Sequence, residues 1–417
     1  MFRRTRVRGY LVVCVPVAIA FIIAFASWPA EAQHVAKEVR PAAPGTAPTR
    51  LAPKSRQPIA RMPRVPGTKR VVQDFEQKVE PDGSIIGTPV ELEMGVQETV
   101  AEIQARQEAR DKAGVEEDHE IEVEPRINPL REFNLNGPES PLAPQWPIPD
   151  PEAIGKTEST LNPQTVGTVF TGPTINDSGF IPPDSMGAVG LTQFIVIING
   201  RLRTYTKAGV ADNVLDSSTD NFFAGVQVGG TSDPRIRYDR LTLRWFIVMI
   251  DISTPNRILI AVSDAASAGI ITGSTVWTFF FIPIASTPPA ISNTCLCDYP
   301  TLGVDVNALY IGGNNFCGTP TQTFNSTDGY VVRKSSILGA GPIVVTVFRG
   351  LVPTAAGAGP YTPQGVDNYD PAATEGYFIG VDNATFGNLQ LRRVSTPGAT
   401  PTISGNVTIA VSATSFP

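Results

Sequence analysis

An aspartate beside a proline or a second aspartate, followed by a short β-type strand, recurs through the chain from Gln164 onward. Asp184 opens the first unit, in Pro182-Pro183-Asp184-Ser185-Met186-Gly187-Ala188-Val189-Gly190. Asp233 opens the second, in Asp233-Pro234-Arg235-Ile236-Arg237-Tyr238-Asp239 with Arg244-Trp245-Phe246 after it. Asp298 opens the third, in Asp298-Tyr299-Pro300-Thr301-Leu302-Gly303-Val304-Asp305, and Asp367 lies in a looser fourth, Gly365-Val366-Asp367-Asn368-Tyr369-Asp370-Pro371. The openings are about 50 to 70 residues apart, near the period of propeller blades built from four strands. The second unit reads as one such blade. Asp233 to Asp239, Trp245–Ile250, Ile258–Val262 and Trp277–Ile282 are four strands separated by turns. A β-sandwich is the competing arrangement, but a sandwich has no reason to reset with Asp at each unit. The expected fold is an all-β, antiparallel β-propeller with about four recognisable blades.

The rest of this region agrees. Short runs of Val, Ile, Phe, Tyr and Thr alternate with Gly, Asn, Asp and Pro clusters, which is the strand-and-turn signature. Strands are expected at Phe194–Ile198, Leu202–Thr206, Ala308–Gly312, Tyr330–Lys334, Ile343–Val347, Tyr377–Val381, Leu389–Val394 and Val407–Val411 as well. No helical pattern of useful length separates them, so the sheets must be antiparallel and joined by turns. A charged fraction of 17% with 37 Gly and 38 Pro fits a turn-rich β protein.

Taken together, the three motifs at residues 182–190, 233–246 and 298–312 resemble a group of largely uncharacterised secreted bacterial β-propeller proteins. The resemblance spans roughly residues 165–417. It implies a propeller fold and carries no activity with it. Members of that group tend to run further than this chain, and four blades are few for a closed ring. The resemblance therefore implies a short or truncated member, with a strand around Val166–Phe170 completing the last blade.

The N-terminal part reads differently. Arg3, Arg4, Arg6 and Arg8 precede a nearly unbroken apolar run from Leu11 to Trp28, and Ala30-Glu31-Ala32 follows as a small-x-small cleavage pattern. This is the form of an export signal, expected over residues 1–32. The product is then secreted or periplasmic, with no membrane association after cleavage. Residues 33–163 read as a spacer, first Pro-rich and then acidic, mostly disordered. Gln97 to Ala113 has helix-forming composition. Its apolar positions Val100, Ile103 and Ala109 are too few to define a face, so the expected helix is exposed and marginal.

An oxidising compartment permits disulfides. Beyond Cys14 in the signal, the cysteines are Cys295, Cys297 and Cys317. Cys-x-Cys neighbours on a strand are too far apart to bond each other. Cys317 is expected to pair with one of the other two, Cys297 being favoured because a new strand begins at Asp298.

The chemistry is narrowed mainly by what is missing. The chain's two histidines, His34 and His119, lie in the spacer. A Ser-His-Asp or Cys-His site and a His-ligated metal are thereby excluded from the β region. Neither a Walker loop nor a Gly-x-Gly-x-x-Gly turn occurs, and a net charge of -6 gives no drive toward nucleic acid. Two chemistries survive. One is a pair of carboxylates flanking a glycosidic bond, drawn from Asp184, Asp233, Asp298 and Asp367. Such aspartates beside Pro or Gly equally well cap turns. Glu375 is the one glutamate after the spacer, which weighs against a glycosidase or lyase. The other chemistry is calcium binding through oxygen ligands, at Asp367, Asn368 and Asp370 and separately at Asp382 and Asn383; no other cofactor is indicated. Exposed tyrosines among Tyr299, Tyr310, Tyr361, Tyr369 and Tyr377 are candidates for a ligand face. The leading expectation is an extracellular binding module for a glycan or protein. The alternatives are a carboxylate-dependent glycoside hydrolase or lyase, and a truncated chain without independent activity.

Overall fold

The structure is a computed structural model that describes residues 77–115 and 167–412, apart from Ser267 and Phe386. These residues belong to one unit of the chain, residues 71–417. The signal segment, most of the spacer and both histidines lie outside the described residues.

The first described segment carries three short strands and a helix: β1 (Ile85–Ile86), β2 (Val90–Glu91), β3 (Val96–Thr99) and α1 (Val100–Lys112). After it come four antiparallel sheets in chain order. The short helix α2 (Ile175–Ser178) leads into the first sheet, made of β4 (Met186–Val189), β5 (Gln193–Ile198), β6 (Arg201–Thr206) and β7 (Ala211–Ser217). A turn of helix, α3 (Thr219–Phe222), leads to the second, made of β8 (Thr231–Asp239), β9 (Arg244–Asp251), β10 (Arg257–Ser263) and β11 (Val276–Pro283). The third has β12 (Leu296–Asp298), β13 (Gly303–Val304), β14 (Ala308–Cys317), β15 (Thr323–Arg333) and, after α4 (Lys334–Ile337), β16 (Val344–Val352). The fourth has β17 (Pro360–Gly365), β18 (Glu375–Asp382), β19 (Asn388–Ser395), β20 (Thr402–Ile403) and β21 (Val407–Ala410).

Side-chain alternation explains how the sheets stack. In β9, Trp245, Ile247 and Met249 enter a core shared with the first sheet's Ile195, Ile197 and Leu202. The intervening Phe246 and Val248 enter a second core with Leu309, Ile311 and Tyr330 of the third sheet. A strand buried on both faces has no polar face to alternate, which is why Trp245–Ile250 reads as a continuous apolar run. The third sheet repeats the pattern, sending Tyr310 and Val331 toward Phe378 and Val394 of the fourth.

The acidic part of the expected spacer is folded. β1 pairs with β20, β2 with β16 and β3 with β11, so residues 85–99 add an outer strand to the fourth, third and second sheets in turn. The segment is a strap that crosses the sheets in reverse chain order. Its last element, α1, sits on the first sheet. Val100 and Ile103 are fully buried there, and Thr99 with Glu102 forms a capping box at its start. The expectation of a marginal exposed helix fails because the i, i+3, i+7 set Val100, Ile103 and Gln107 is buried together. Gln107 is polar, and an apolar count passes over it. Its Oε1 accepts from the Ser218 N–H at 3.0 Å, and Gln104 Oε1 accepts from the Asp216 N–H at 3.0 Å. Two glutamines three apart on the helix thus satisfy N–H groups two apart at the end of β7 and just beyond it, where the other sheets receive a strand.

Two further expectations are corrected. Gly167 to Phe170 form no strand; Phe170 packs against Phe194 and Tyr205 of the first sheet, and β1 supplies the extra strand of the fourth. The disulfide joins Cys295 to Cys317, not Cys297 to Cys317. β12 pairs with β14 so that Leu296 faces Phe316 and Cys297 faces Asn315. One step outward in that register brings Cys295 opposite Cys317. Cys297 is buried one pair inward, with its sulfur against Gly313. Burial pushes its thiol well above the usual range, so it is an inert core side chain.

Candidate functional site

The first strand of each sheet after the strap is broken at, or preceded by, a non-glycine residue with positive φ: Asp184 at 40° just before β4, Asp233 at 56° in β8, Tyr299 at 52° between β12 and β13, and Thr362 at 48° in β17. The last three precede a proline, where the right-handed helical region is also disfavoured. The register of β8 shifts between Ser232 and Arg235, that of β17 between Tyr361 and Gln364, and β12 and β13 are two pieces of one line broken at Tyr299. Each such backbone costs on the order of 1–3 kcal/mol and persists only where the surroundings over-determine it.

The surroundings do so by a relay between sheets. The Asp233 N–H donates to Asn199 Oδ1 of the first sheet at 2.9 Å. The Tyr299 N–H donates to Asp233 Oδ2 of the second at 3.2 Å. The Thr362 N–H donates to Asn314 Oδ1 of the third at 3.0 Å. The last three kinks are each held by a side chain of the preceding sheet. Asn199 also donates to Asp184 Oδ2 at 2.8 Å and to the Pro182 carbonyl at 3.0 Å. Of the four candidate aspartates, Asp184 and Asp233 therefore sit at equivalent kinks joined through Asn199. Asp298 precedes the third kink by one residue, and Asp367 follows the fourth by five. The unit openings assigned from sequence are thus out of step in the third and fourth repeats. Asp367 is nevertheless brought to β8, where Arg237 Nε donates to it at 2.7 Å while it accepts the Val304 N–H at 3.0 Å.

β8 is therefore the strand on which the site is built. Its even-numbered side chains Ile236 and Tyr238 enter the core shared with the first sheet. Arg235, Arg237 and Asp239 alternate with them. Asp239 makes a buried ion pair with Lys334 at 2.6 Å. Arg235 lies under the Tyr299 ring, its guanidinium carbon 4.3 Å from the ring centre. Arg240 lies 5.4 Å from the Tyr369 ring centre. Tyr299 is 39% exposed and Tyr369 41% exposed. The two tyrosines are partly exposed aromatic plates, each with a cation against its ring. Burial, followed by the nearby Asp367 charge, raises the Tyr369 hydroxyl, so that ring stays neutral at physiological pH.

The other candidate tyrosines are occupied by packing. Tyr310 is fully buried and donates to Asp305 at 2.7 Å, Tyr361 packs on Phe324, and Tyr377 donates to Glu375. Glu375 lies with Arg393 in a surface ion pair at 2.7 Å, and that hydrogen bond holds its carboxyl below the ordinary range.

The candidate calcium residues do not converge. Asn368 accepts the Asp370 N–H and Asp370 accepts the Ala372 N–H, two short-range turns. Asp382 accepts from Gly359 N–H and Thr385 Oγ1. Burial alone would raise its carboxyl, but these donors outweigh that and lower it. Asn383 donates to the carbonyls of Ala355 and Gly357. Among the described residues, no group of three or more His, Cys, Asp or Glu is placed to hold a metal ion. A separate depression of about 430 Å³ is lined by Thr254, Thr294, Thr319, Pro320, Thr321 and Gln322, beside the disulfide.

Asn199, Arg235 and Arg240 escaped the sequence reading. Arg235 stands inside Asp233-Pro234-Arg235, which drew attention for its aspartate. Asn199 had a signal of its own, as the Asn-Gly that turns β5 into β6.

No protein-family model matches the chain, and no curated protein matches it. Solved structures give remote likenesses. A point mutant of the Synechocystis apocarotenoid oxygenase aligns with 52% of this chain at 10% identity and a TM-score of 0.30. The chain spans 47% of that protein's length. A putative TolB from Agrobacterium tumefaciens aligns with 53% of this chain and 82% of its own, at 12% identity and a TM-score of 0.17.

Proposed function

We propose that this chain is an exported binding module whose four sheets are blades of a β-propeller, and that it recognises an extracellular glycan at the β8 rim. The observation that carries the reading is the pair of exposed tyrosines, each held from behind by an arginine. A flat aromatic ring suits the C–H face of a sugar ring, and the surrounding polar groups suit its hydroxyls. Export is read from the arginine-led apolar segment at residues 3–28, which lies outside the described residues. The carboxylates support binding over hydrolysis. Asp184, Asp233 and Asp367 each accept from an amide, a backbone N–H or a guanidinium that holds a sheet junction together.

The test is a glycan array probed with the full chain, then with Tyr299→Ala and Tyr369→Ala. The expected result is a defined set of bound glycans, with at least one variant weakened about tenfold and thermal unfolding preserved. A blank array, or binding untouched by either variant, would refute the reading.

A further inference from the structure

We propose that Arg235 is the receptor for a carboxylate, so that the rim takes an acidic saccharide, a chain containing uronic acid residues; this rests on the glycan reading above. Arg235 is 4% exposed, yet its guanidinium is incompletely used. Nη1 donates to the Pro234 carbonyl at 2.7 Å, and Nη2 has no hydrogen-bond partner among the described residues. Arg237 on the same strand and Arg349 in the third sheet each have a carboxylate, Asp367 at 2.7 Å and Asp328 at 2.6 Å. A buried guanidinium N–H without a partner is costly, and such a group in a folded protein calls for an explanation.

The position supplies one. The group above Arg235 is the Tyr299 ring, half in solvent, on a backbone held at φ 52° by Asp233. Strained backbone of this kind clusters at ligand clamps. The tyrosine main chain is fixed by the relay and by Pro300, so the side chain alone is free to move. Rotation of the ring opens Nη2 while the ring remains on the rim. A sugar stacked on Tyr299 then places a ring carboxylate against the guanidinium, and the bond is charge-assisted and shielded from water. No covalent step is involved. The orphan donor gains its acceptor only when an anion is bound, which makes the site selective against neutral sugars of the same shape.

The experiment is titration calorimetry of the full chain with a short oligogalacturonate and with the same oligomer methyl-esterified, which keeps the rings and removes the charge. The acid should bind about tenfold to a hundredfold tighter than the ester, the range expected of one charged hydrogen bond. Arg235→Gln should abolish that preference, so that the variant binds acid and ester alike. Arg235→Lys, which keeps the charge but loses the planar fork, should retain part of it and covers the case in which Arg235→Gln fails to fold. Equal binding of acid and ester, or a preference that survives both substitutions, would overturn the assignment of Arg235 while leaving glycan recognition standing. So would tight binding of oligo-aspartate with none of the uronate. Binding of no saccharide, acidic or neutral, on the array or in the calorimeter would remove the glycan reading and this inference together.

Discussion

The outer and inner margins of the four sheets are closed by opposite means. On the outside, a strap distant in sequence adds backbone strands to the second, third and fourth sheets and a helix to the first, and the attachment is mostly main chain and apolar. On the inside, each sheet is keyed to the next by one polar side chain gripping a strained backbone N–H. The outer solution is generic, since any chain can pair with an edge strand. The inner one is specific, and it leaves charged and aromatic groups at the surface. Stability should therefore be concentrated outside and recognition inside.

The largest test of this contrast is deletion of residues 77–112. It uncovers the edges of three sheets and removes Val100 and Ile103 from the first core. The loss should exceed the ~5–15 kcal/mol that sustains a domain. Scanning calorimetry should show no cooperative transition, whereas a sharp melt of the remaining sheets would show that the inner relay suffices. Next is Asn199→Ala, which orphans the Asp233 N–H and releases Asp184. Urea denaturation should register a loss of about 2 kcal/mol with an unchanged slope, and glycan affinity should fall with it because Asp233 positions Tyr299. A stability loss with affinity intact would separate the relay from the site.

The smallest effect concerns the polar part of the outer margin. Asp177 bonds Arg203 at 2.9 Å, Arg203 also bonds Asp216, and Asp216 is tied to Gln104 of the strap. Burial alone would raise the Asp177 carboxyl, but hydrogen bonds from Thr174 and Arg203 bring it down to about 2. A carboxyl lowered by folding stabilises fully above its unfolded value near 4, and that contribution is lost as pH falls toward 2. Asp177→Asn should flatten the fall of melting temperature between about pH 4 and pH 2, at a cost of about 1 kcal/mol at neutral pH. An unchanged acid limb would mean that the outer ion pairs contribute nothing.

Where burial dictates the residue, the sequence is transparent. The strand expected at Trp245–Ile250 is found at Arg244–Asp251, and Ile258–Val262 at Arg257–Ser263, because a doubly buried strand has only apolar positions to show. The strap is opaque for the opposite reason. Ile85–Ile86 and Val90–Glu91 are too short to display a period, and their partners are far away along the chain. The disulfide depended on one step of register that spacing alone does not encode. The site was legible by half. Aspartates next to prolines marked the kinks at Asp233 and Asp184, but in the third and fourth sheets the kink falls on Tyr299 and Thr362, which carry no composition signal. Asn199 and Asn314 act through geometry between sheets, and no local pattern announces that.

The strap also sets the order in which the molecule can be completed. Ile85 pairs with Ile403, at the far end of the described chain, and the next two strap strands pair with successively earlier sheets. A chain made from its N-terminus releases the strap before any of the four sheets, and the strand awaited by β1 emerges only after the first three sheets are complete. Until then the strap has no edge to join, and three outer strands lie open to pairing with other molecules. Contacts this distant in sequence close slowly. The assembly is therefore a final, slow event that follows the folding of all four sheets, and aggregation should compete with it at that step.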